Sequence, residues 1–99
     1  GMIMALLFEW DNEKAINNVK KHGVNFDEAK SVFYDTFALI SLDVEHSITE
    51  ERFSIIGYSK SNRILFISYT EKNEIIRIIS ARKTTKNERL FYEKNIKNN

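Results

Sequence analysis

The sequence predicts an α+β domain in which helices pack on an antiparallel sheet. Two observations lead there. Between residues 36 and 82, runs rich in Ile, Phe and Tyr alternate with short polar stretches, "KSN" at 60–62 and "EKNE" at 71–74. Connections that short join antiparallel neighbours, because a parallel crossover needs a dozen or more residues. The patterns that read as helix, by contrast, are confined to the two ends of this run, which places helices together on one face of the sheet. The chain has 99 residues, no Pro, three Gly and no repeat or low-complexity tract, so residues 2–97 read as a single domain. A domain of that size buries roughly 65% of the surface its unfolded chain exposes.

The elements follow in order. "ALLFEW" (5–10) is short, apolar and aromatic, as a strand requires. "DNEKAINNVKKHG" (11–23) reads as a helix: Asp11 caps it, Ala15, Ile16 and Val19 make a stripe, Lys20 and Lys21 suit the negative end of the dipole, and Gly23 stops it. "NFDEAKSVF" (25–33) is a second, shorter helix, with Asn25 and Glu28 at capping-box spacing and Phe26, Ala29, Val32 and Phe33 inward. Strands follow at "TFALISL" (36–42), "ERFSIIGYS" (51–59), "RILFISYT" (63–70) and "IIRIISAR" (75–82), with "DVEHSITE" (43–50) as a loop. "TTKNERLFYEKNI" (84–96) closes the chain as a helix, with a Thr85–Glu88 capping box and Leu90, Phe91 and Ile96 on its apolar side. The order is β-α-α-β-β-β-β-α, with four to five strands, two N-terminal helices and one C-terminal helix.

Composition excludes several classes. No cysteine is present, which rules out a disulfide scaffold and a thiolate zinc site and fits a reducing compartment. No apolar run approaches the ~18 residues of a membrane span. The opening "GMIMALLFEW" has no basic start and reaches acidic residues at once, unlike a signal peptide. His46 lies near Asp43 and Glu45, but that spacing matches no known metal motif, so neither a metal site nor a cofactor is expected. The net charge of +1 conceals an asymmetry: residues 1–51 carry −6 and residues 52–99 carry +7. Either the two halves neutralise each other in the fold, or the basic half faces a polyanion.

Three stretches share a pattern: "FEWDNEKAINNVKKHGVNFDEAKSVFYD" (8–35), "ERFSIIGYS" (51–59) and "IIRIISARKTTKNERLFYE" (75–93). In this order and spacing they resemble the BrnT toxin family over nearly the whole chain. The resemblance implies a RelE-like fold and a cytoplasmic ribonuclease toxin of a type II toxin–antitoxin pair. It also implies neutralisation by a BrnA-type antitoxin, in a higher-order toxin–antitoxin complex. After "SAR" this chain continues "KTTKNE", where many relatives have alanine and several arginines.

RNA cleavage without a metal needs a proton taken from the 2′-hydroxyl, a proton given to the leaving 5′-oxygen, and cations for the charge gathering on phosphorus. Arginine suits the last role because its planar fork stays charged and binds phosphate bidentately. The candidate catalytic residues are Arg52, Arg77, Arg82, His22 and Tyr69; the candidate RNA-binding residues are Arg63, Lys83, Lys86 and Arg89. If Ser59 pairs with Asn62, and Thr70 with Ile75, then Arg52, Arg63, Tyr69 and Arg82 share one face. Phe53, Phe66, Ile79 and Arg77 share the other. Each candidate has a plainer alternative. Arg77 either stabilises the transition state or forms a buried structural ion pair with an acid from the first half. Arg52 has Glu50 and Glu51 beside it, and Arg63 adjoins a turn where it can simply be solvated. Tyr69 either handles a base or proton or is core with a wet tip. His22 is a general acid–base or a partner for the helix dipole. Trp10 reads as a packing anchor. The same basic surface would also serve a non-catalytic module that binds nucleic acid or protein.

Overall fold

The computed structural model describes residues 5–98. Residues 2–4 of the expected domain, and the start of the opening segment, lie outside the described residues. The elements are β1 (Leu7–Glu9), α1 (Asn12–His22), α2 (Phe26–Val32), β2 (Leu39–Leu42), β3 (Phe53–Tyr58), β4 (Ile64–Lys72), β5 (Ile75–Lys83) and α3 (Lys86–Lys97). They form one five-stranded sheet in the order β1-β5-β4-β3-β2.

The sheet is mixed, not purely antiparallel: β1 lies parallel to β5, with Phe8 opposite Ile76. Short turns dictate antiparallel pairing only for β3, β4 and β5. The chain leaves β1, crosses through α1 and α2 to the far edge at β2, and returns strand by strand. β5 therefore arrives beside β1 running the same way.

The helices begin where side chains can accept from free N–H groups. Asp11 accepts from Lys14 N, Asn25 from Glu28 N and Thr85 from Glu88 N. Gly23 takes φ +68° to end α1, a conformation that costs glycine nothing. The core gathers Val24, Phe26, Ala29 and Val32 around α2 against Ile55, Leu65, Ile67, Ile76, Ile78 and Ala81 of the sheet. Trp10 packs edge-on against Phe26 at 5.8 Å, as the anchor reading expected.

The face of α1 differs from expectation. Asn18 is buried, while Ile16 and Val19 are exposed. The reason is the edge of β5, which β1 leaves bare beyond Arg77. Asn18 Nδ2 donates to Ala81 O (2.8 Å) and Val24 O (2.8 Å), and its Oδ1 accepts from Ala81 N (3.1 Å). One side-chain amide thus stands in for a missing strand. Asn18→Leu is expected to destabilise the fold by at least about 2 kcal/mol, because buried backbone groups lose their partners. Chemical denaturation checks this.

α3 leaves the layer of α1 and α2. Its Glu88 meets Arg82, whose guanidinium lies over the Phe66 ring on the opposite face of the sheet. Tyr92, fully buried, is the anchor of α3 rather than Leu90 and Phe91, which are exposed. Its hydroxyl donates to Asp35 Oδ2, which also accepts from Tyr58 N (2.8 Å). Gly57 permits this approach: a Cβ there would fall 2.9 Å from Asp35 Oδ2.

Both β-hairpins set a register other than the one expected. The first turn uses three residues, with Asn62 left-handed at φ +59° and Ser59 N bonded to Arg63 O (2.8 Å). Pairing therefore runs Tyr58–Ile64 and Phe53–Tyr69, one residue from the Ser59–Asn62 scheme. The second turn is only Asn73–Glu74, both at positive φ, so β4 and β5 extend to Lys72–Ile75. Ile79 is then an extra residue between the Ser68–Ser80 and Tyr69–Ile78 pairs. This bulge reverses the alternation, so Arg77 and Arg82 face the same way despite lying an odd number of residues apart.

Candidate functional site

The corrected register separates the candidate residues into two groups. β3 and β5 run one way and β4 the other, so Arg52, Tyr69 and Arg77 lie at one end of the sheet. Arg63, Arg82, Lys83 and the start of α3 lie at the other. Arg77 and Arg82 are about 17 Å apart along β5, at ~3.3 Å per residue. The structure does not bring Arg52, Arg77 and Arg82 together.

Two corrections follow from the first group. Tyr69 is core: it is 4% exposed, stacked on Phe53 (5.6 Å) and edge-on to Phe33 (4.9 Å). Burial pushes its phenol up to about 12, so it has neither the access nor the acidity to exchange protons with a substrate. Its expected place beside Arg52, Arg63 and Arg82 is lost because the hairpin turns put it with Phe53 and Ile78. Arg77 pairs with a first-half acid, Glu9, at 3.3 Å, but the pair is exposed and not the buried structural one expected. Arg52 holds the 43–47 loop through its backbone, donating to Ser47 Oγ (2.9 Å) and accepting from Asp43 N (2.7 Å). Its buried Nε has no hydrogen-bond partner among the described residues.

At the other end a cleft of about 380 Å³ opens between the end of the sheet and α3, lined by Tyr58, Asn62, Arg63, Lys83, Thr84 and Arg89. Three of the four expected RNA-binding residues meet there. Lys83 ends β5 exposed, and Arg89 projects from the second turn of α3, with a loose pair to Glu93 at 3.4 Å. Such exposed pairs contribute little and exchange readily for a better anion. Lys86, the first residue of α3, stands exposed outside the lining.

Arg63 is held in place. Its Nε donates to Glu28 Oε2 (2.9 Å), and its Nη2 donates to Glu28 Oε1 (2.5 Å) and Gly23 O (3.1 Å). Ser59 Oγ adds a bond to the same carboxylate at 2.6 Å. The Arg63 guanidinium holds the Glu28 carboxyl below the usual glutamate range, and Glu28 in turn raises Arg63. Most of Arg63's donor capacity is thus committed to the fold, and one edge of it faces the cleft. His22 precedes the Gly23 carbonyl that Arg63 grips, which brings the end of α1 beside this end of the sheet.

Arg82 is also committed. It grips Glu88 bidentately (2.8 and 3.0 Å) and stacks on Phe66 at 4.2 Å. Glu88 closes the capping box at the same time. The Arg82 pairing holds Glu88 below the usual range. Arg82 therefore orients α3, and through it Arg89, and does not line the cleft.

Reading the sequence missed Tyr58. It is 44% exposed, and its ring is braced edge-on by Tyr92 at 5.7 Å. It is the cleft's only phenol among the described residues. The signal was Asn62, a residue that tolerates left-handed backbone; a three-residue turn places Tyr58 beside Ile64 and the cleft. The chemistry open to the cleft follows from this lining. The cleft can hold an anion between Lys83 and Arg89 and set a phenol beside it. Its lining bears no carboxylate to repel phosphate. Among the described residues no cluster of three or more His, Asp or Glu side chains is suited to hold a metal ion.

Residues 10–88 match the family described as the ribonuclease toxin BrnT of type II toxin–antitoxin systems. Among solved structures, the chain is similar to the ribonuclease toxin BrnT of Brucella abortus, determined at 1.1 Å. The TM-score is 0.64 at 19% identity, over 83% of this chain and 100% of that one. At that identity the likeness carries the fold. No curated protein matches the sequence. The family match runs from Trp10, through α1, α2 and strands β2 to β5, to the Glu88 that orients α3, and on that extent the chain belongs to the BrnT family of ribonuclease toxins of type II toxin–antitoxin systems.

Proposed function

We propose that the chain is a metal-independent endoribonuclease that cuts RNA in the Lys83–Arg89 cleft, thereby inhibiting translation in the cytoplasm. A BrnA-type antitoxin holds it inactive. The observation that carries this reading is the convergence of Lys83, Arg89 and Tyr58 on one cleft without a carboxylate in its lining. In the reaction, the 2′-oxygen of RNA attacks the neighbouring phosphorus and the 5′-oxygen leaves. The products are a 2′,3′-cyclic phosphate and a 5′-hydroxyl. Lys83 and Arg89 stabilise the charge on the non-bridging oxygens. Tyr58 donates a hydrogen bond or a proton to the leaving oxygen, and His22 is the nearest imidazole for the opposite transfer. The antitoxin covers the basic cleft with an acidic or amphipathic segment.

The test is RNA cleavage by the purified protein in excess EDTA, followed by analysis of the new ends. Cyclic phosphate and 5′-hydroxyl ends are expected. Tyr58→Phe is expected to slow the reaction by about 10²-fold, the usual contribution of one proton-transfer group. Cleavage abolished by EDTA and restored by a divalent cation would contradict metal independence. Intact RNA bound in a salt-dependent manner would support the non-catalytic module instead.

A further inference from the structure

A second cleft, of about 370 Å³, lies on the far side of Tyr58 and is lined by Ser31, Tyr34, Asp35, Tyr58, Ser59 and Lys60. Tyr58 is the wall shared with the basic cleft. The polar groups around the second cleft are mostly spent. Asp35 accepts from Phe37 N (3.0 Å) and Tyr58 N (2.8 Å), and from the Tyr92 hydroxyl. Ser31 Oγ donates to Glu28 O (2.6 Å) and accepts from Lys60 N (2.8 Å). Ser59 Oγ is bound to Glu28 (2.6 Å). Apart from Tyr58, the shared wall, two groups of the lining are left to meet a ligand: the Lys60 ammonium and the Tyr34 ring. Tyr34 is 62% exposed. Its aromatic neighbour among the described residues is Phe8, tilted at 6.5 Å, so a wide ring face is open to solvent. An exposed aromatic beside a cation, one wall away from a basic cleft, is the arrangement that holds a base and its backbone.

We propose that the second cleft is a nucleotide subsite of the same RNA surface, in which Tyr34 stacks a base and Lys60 takes the adjoining phosphate. Tyr58 divides the two subsites, so a strand crossing it places its scissile phosphate between Lys83 and Arg89 and, one nucleotide beyond the cleaved pair, a base on Tyr34. The ligand is single-stranded RNA, because a base must leave its stack to lie on the ring. This inference rests on the RNA-cutting reading of the first cleft.

The test is binding of a 5′-labelled, 2′-O-methyl RNA 12-mer, which cannot undergo attack by its 2′-oxygen, read by fluorescence anisotropy. Tyr34→Ala is expected to raise the dissociation constant about tenfold, within the range for one lost stacking contact. Tyr34→Phe is expected to keep wild-type affinity. Lys60→Ala is expected to weaken binding severalfold and to reduce the salt dependence by about one phosphate contact. With a cleavable dinucleotide too short to reach Tyr34, Tyr34→Ala is expected to match wild type. Wild-type binding of the 12-mer with Tyr34→Ala equally tight would overturn the subsite alone. An equal loss on the dinucleotide would also overturn it, since Tyr34 would then only shape the first cleft. No binding by wild type would overturn both the subsite and the reading beneath it.

Discussion

Glu28→Ala is expected to lower the stability of the protein by about 3–5 kcal/mol, the cost of removing one partner from a buried ion pair. Glu28 is 4% exposed and accepts from the Arg63 guanidinium and the Ser59 hydroxyl. Without it, a half-buried guanidinium and a buried hydroxyl lose their acceptor together. In a domain of this size the melting temperature should fall by more than about 12 °C, measured by circular dichroism. The damage is not confined to stability, because this network joins α2, the 59–63 turn and the end of α1 behind the basic cleft. Replacing both charges, as Glu28→Leu with Arg63→Met, is expected to recover most of the lost stability, since apolar pairs often match buried ion pairs.

The same pair predicts the acid limb of stability. Arg63 holds the folded-state Glu28 carboxyl below its ordinary value, and Arg82 does the same to Glu88. A carboxyl with a depressed folded pKa contributes stability that is fully present above its unfolded pKa of ~4.3 and is lost as pH falls through the folded value. Denaturation midpoints should therefore hold steady near neutrality and fall progressively below about pH 4.3. In Glu28→Ala that fall should be visibly shallower.

Lys83→Ala combined with Arg89→Ala is expected to lower RNA cleavage by on the order of 10²-fold or more, the usual loss when a group stabilising transition-state charge is removed. The fold should survive. Both side chains are exposed, and the Arg89–Glu93 pair at 3.4 Å spans one helical turn, worth about 0.3–0.5 kcal/mol. A melting curve near wild type with cleavage gone would separate this variant from Glu28→Ala, where both are lost. RNA affinity should also become less sensitive to salt, by roughly one phosphate contact for each cation removed.

Local chemistry made most of the architecture legible. Asp11, Asn25, Thr85 and Gly23 mark their helix ends because caps act within a few residues. The four strands from residue 36 onward stood out as apolar runs. What escaped depends on contacts distant in sequence or on a single φ angle. The parallel β1–β5 pair joins residues 68 apart. Asn18 faces inward because the edge of β5 needs an amide, and no helical periodicity reveals that. The site turned on two hairpins. Left-handed Asn62, and the Asn73–Glu74 turn with its Ile79 bulge, moved Tyr69 into the core and Tyr58 to the cleft. A register carries alternation across a whole sheet, so the one-residue error in the first hairpin, and the odd, three-residue error beyond the bulge in the second, each reassigned a face. Lys83 and Arg89 were recognisable because the end of a strand and the start of a helix lie together whatever the register. Arg63 and Arg82 could be read as cations, but their commitment to Glu28 and Glu88 could not.

The proposed function places the RNA-cutting cleft at the Lys83 end of the sheet. The most direct test is single-turnover RNA cleavage by two double variants side by side: Lys83→Ala with Arg89→Ala, and Arg52→Ala with Arg77→Ala. Each is first confirmed as folded. The prediction is that the first loses about 10²-fold or more while the second stays close to wild type. Loss of cleavage in the second with the first intact would move the site to the opposite end of the sheet and contradict the account.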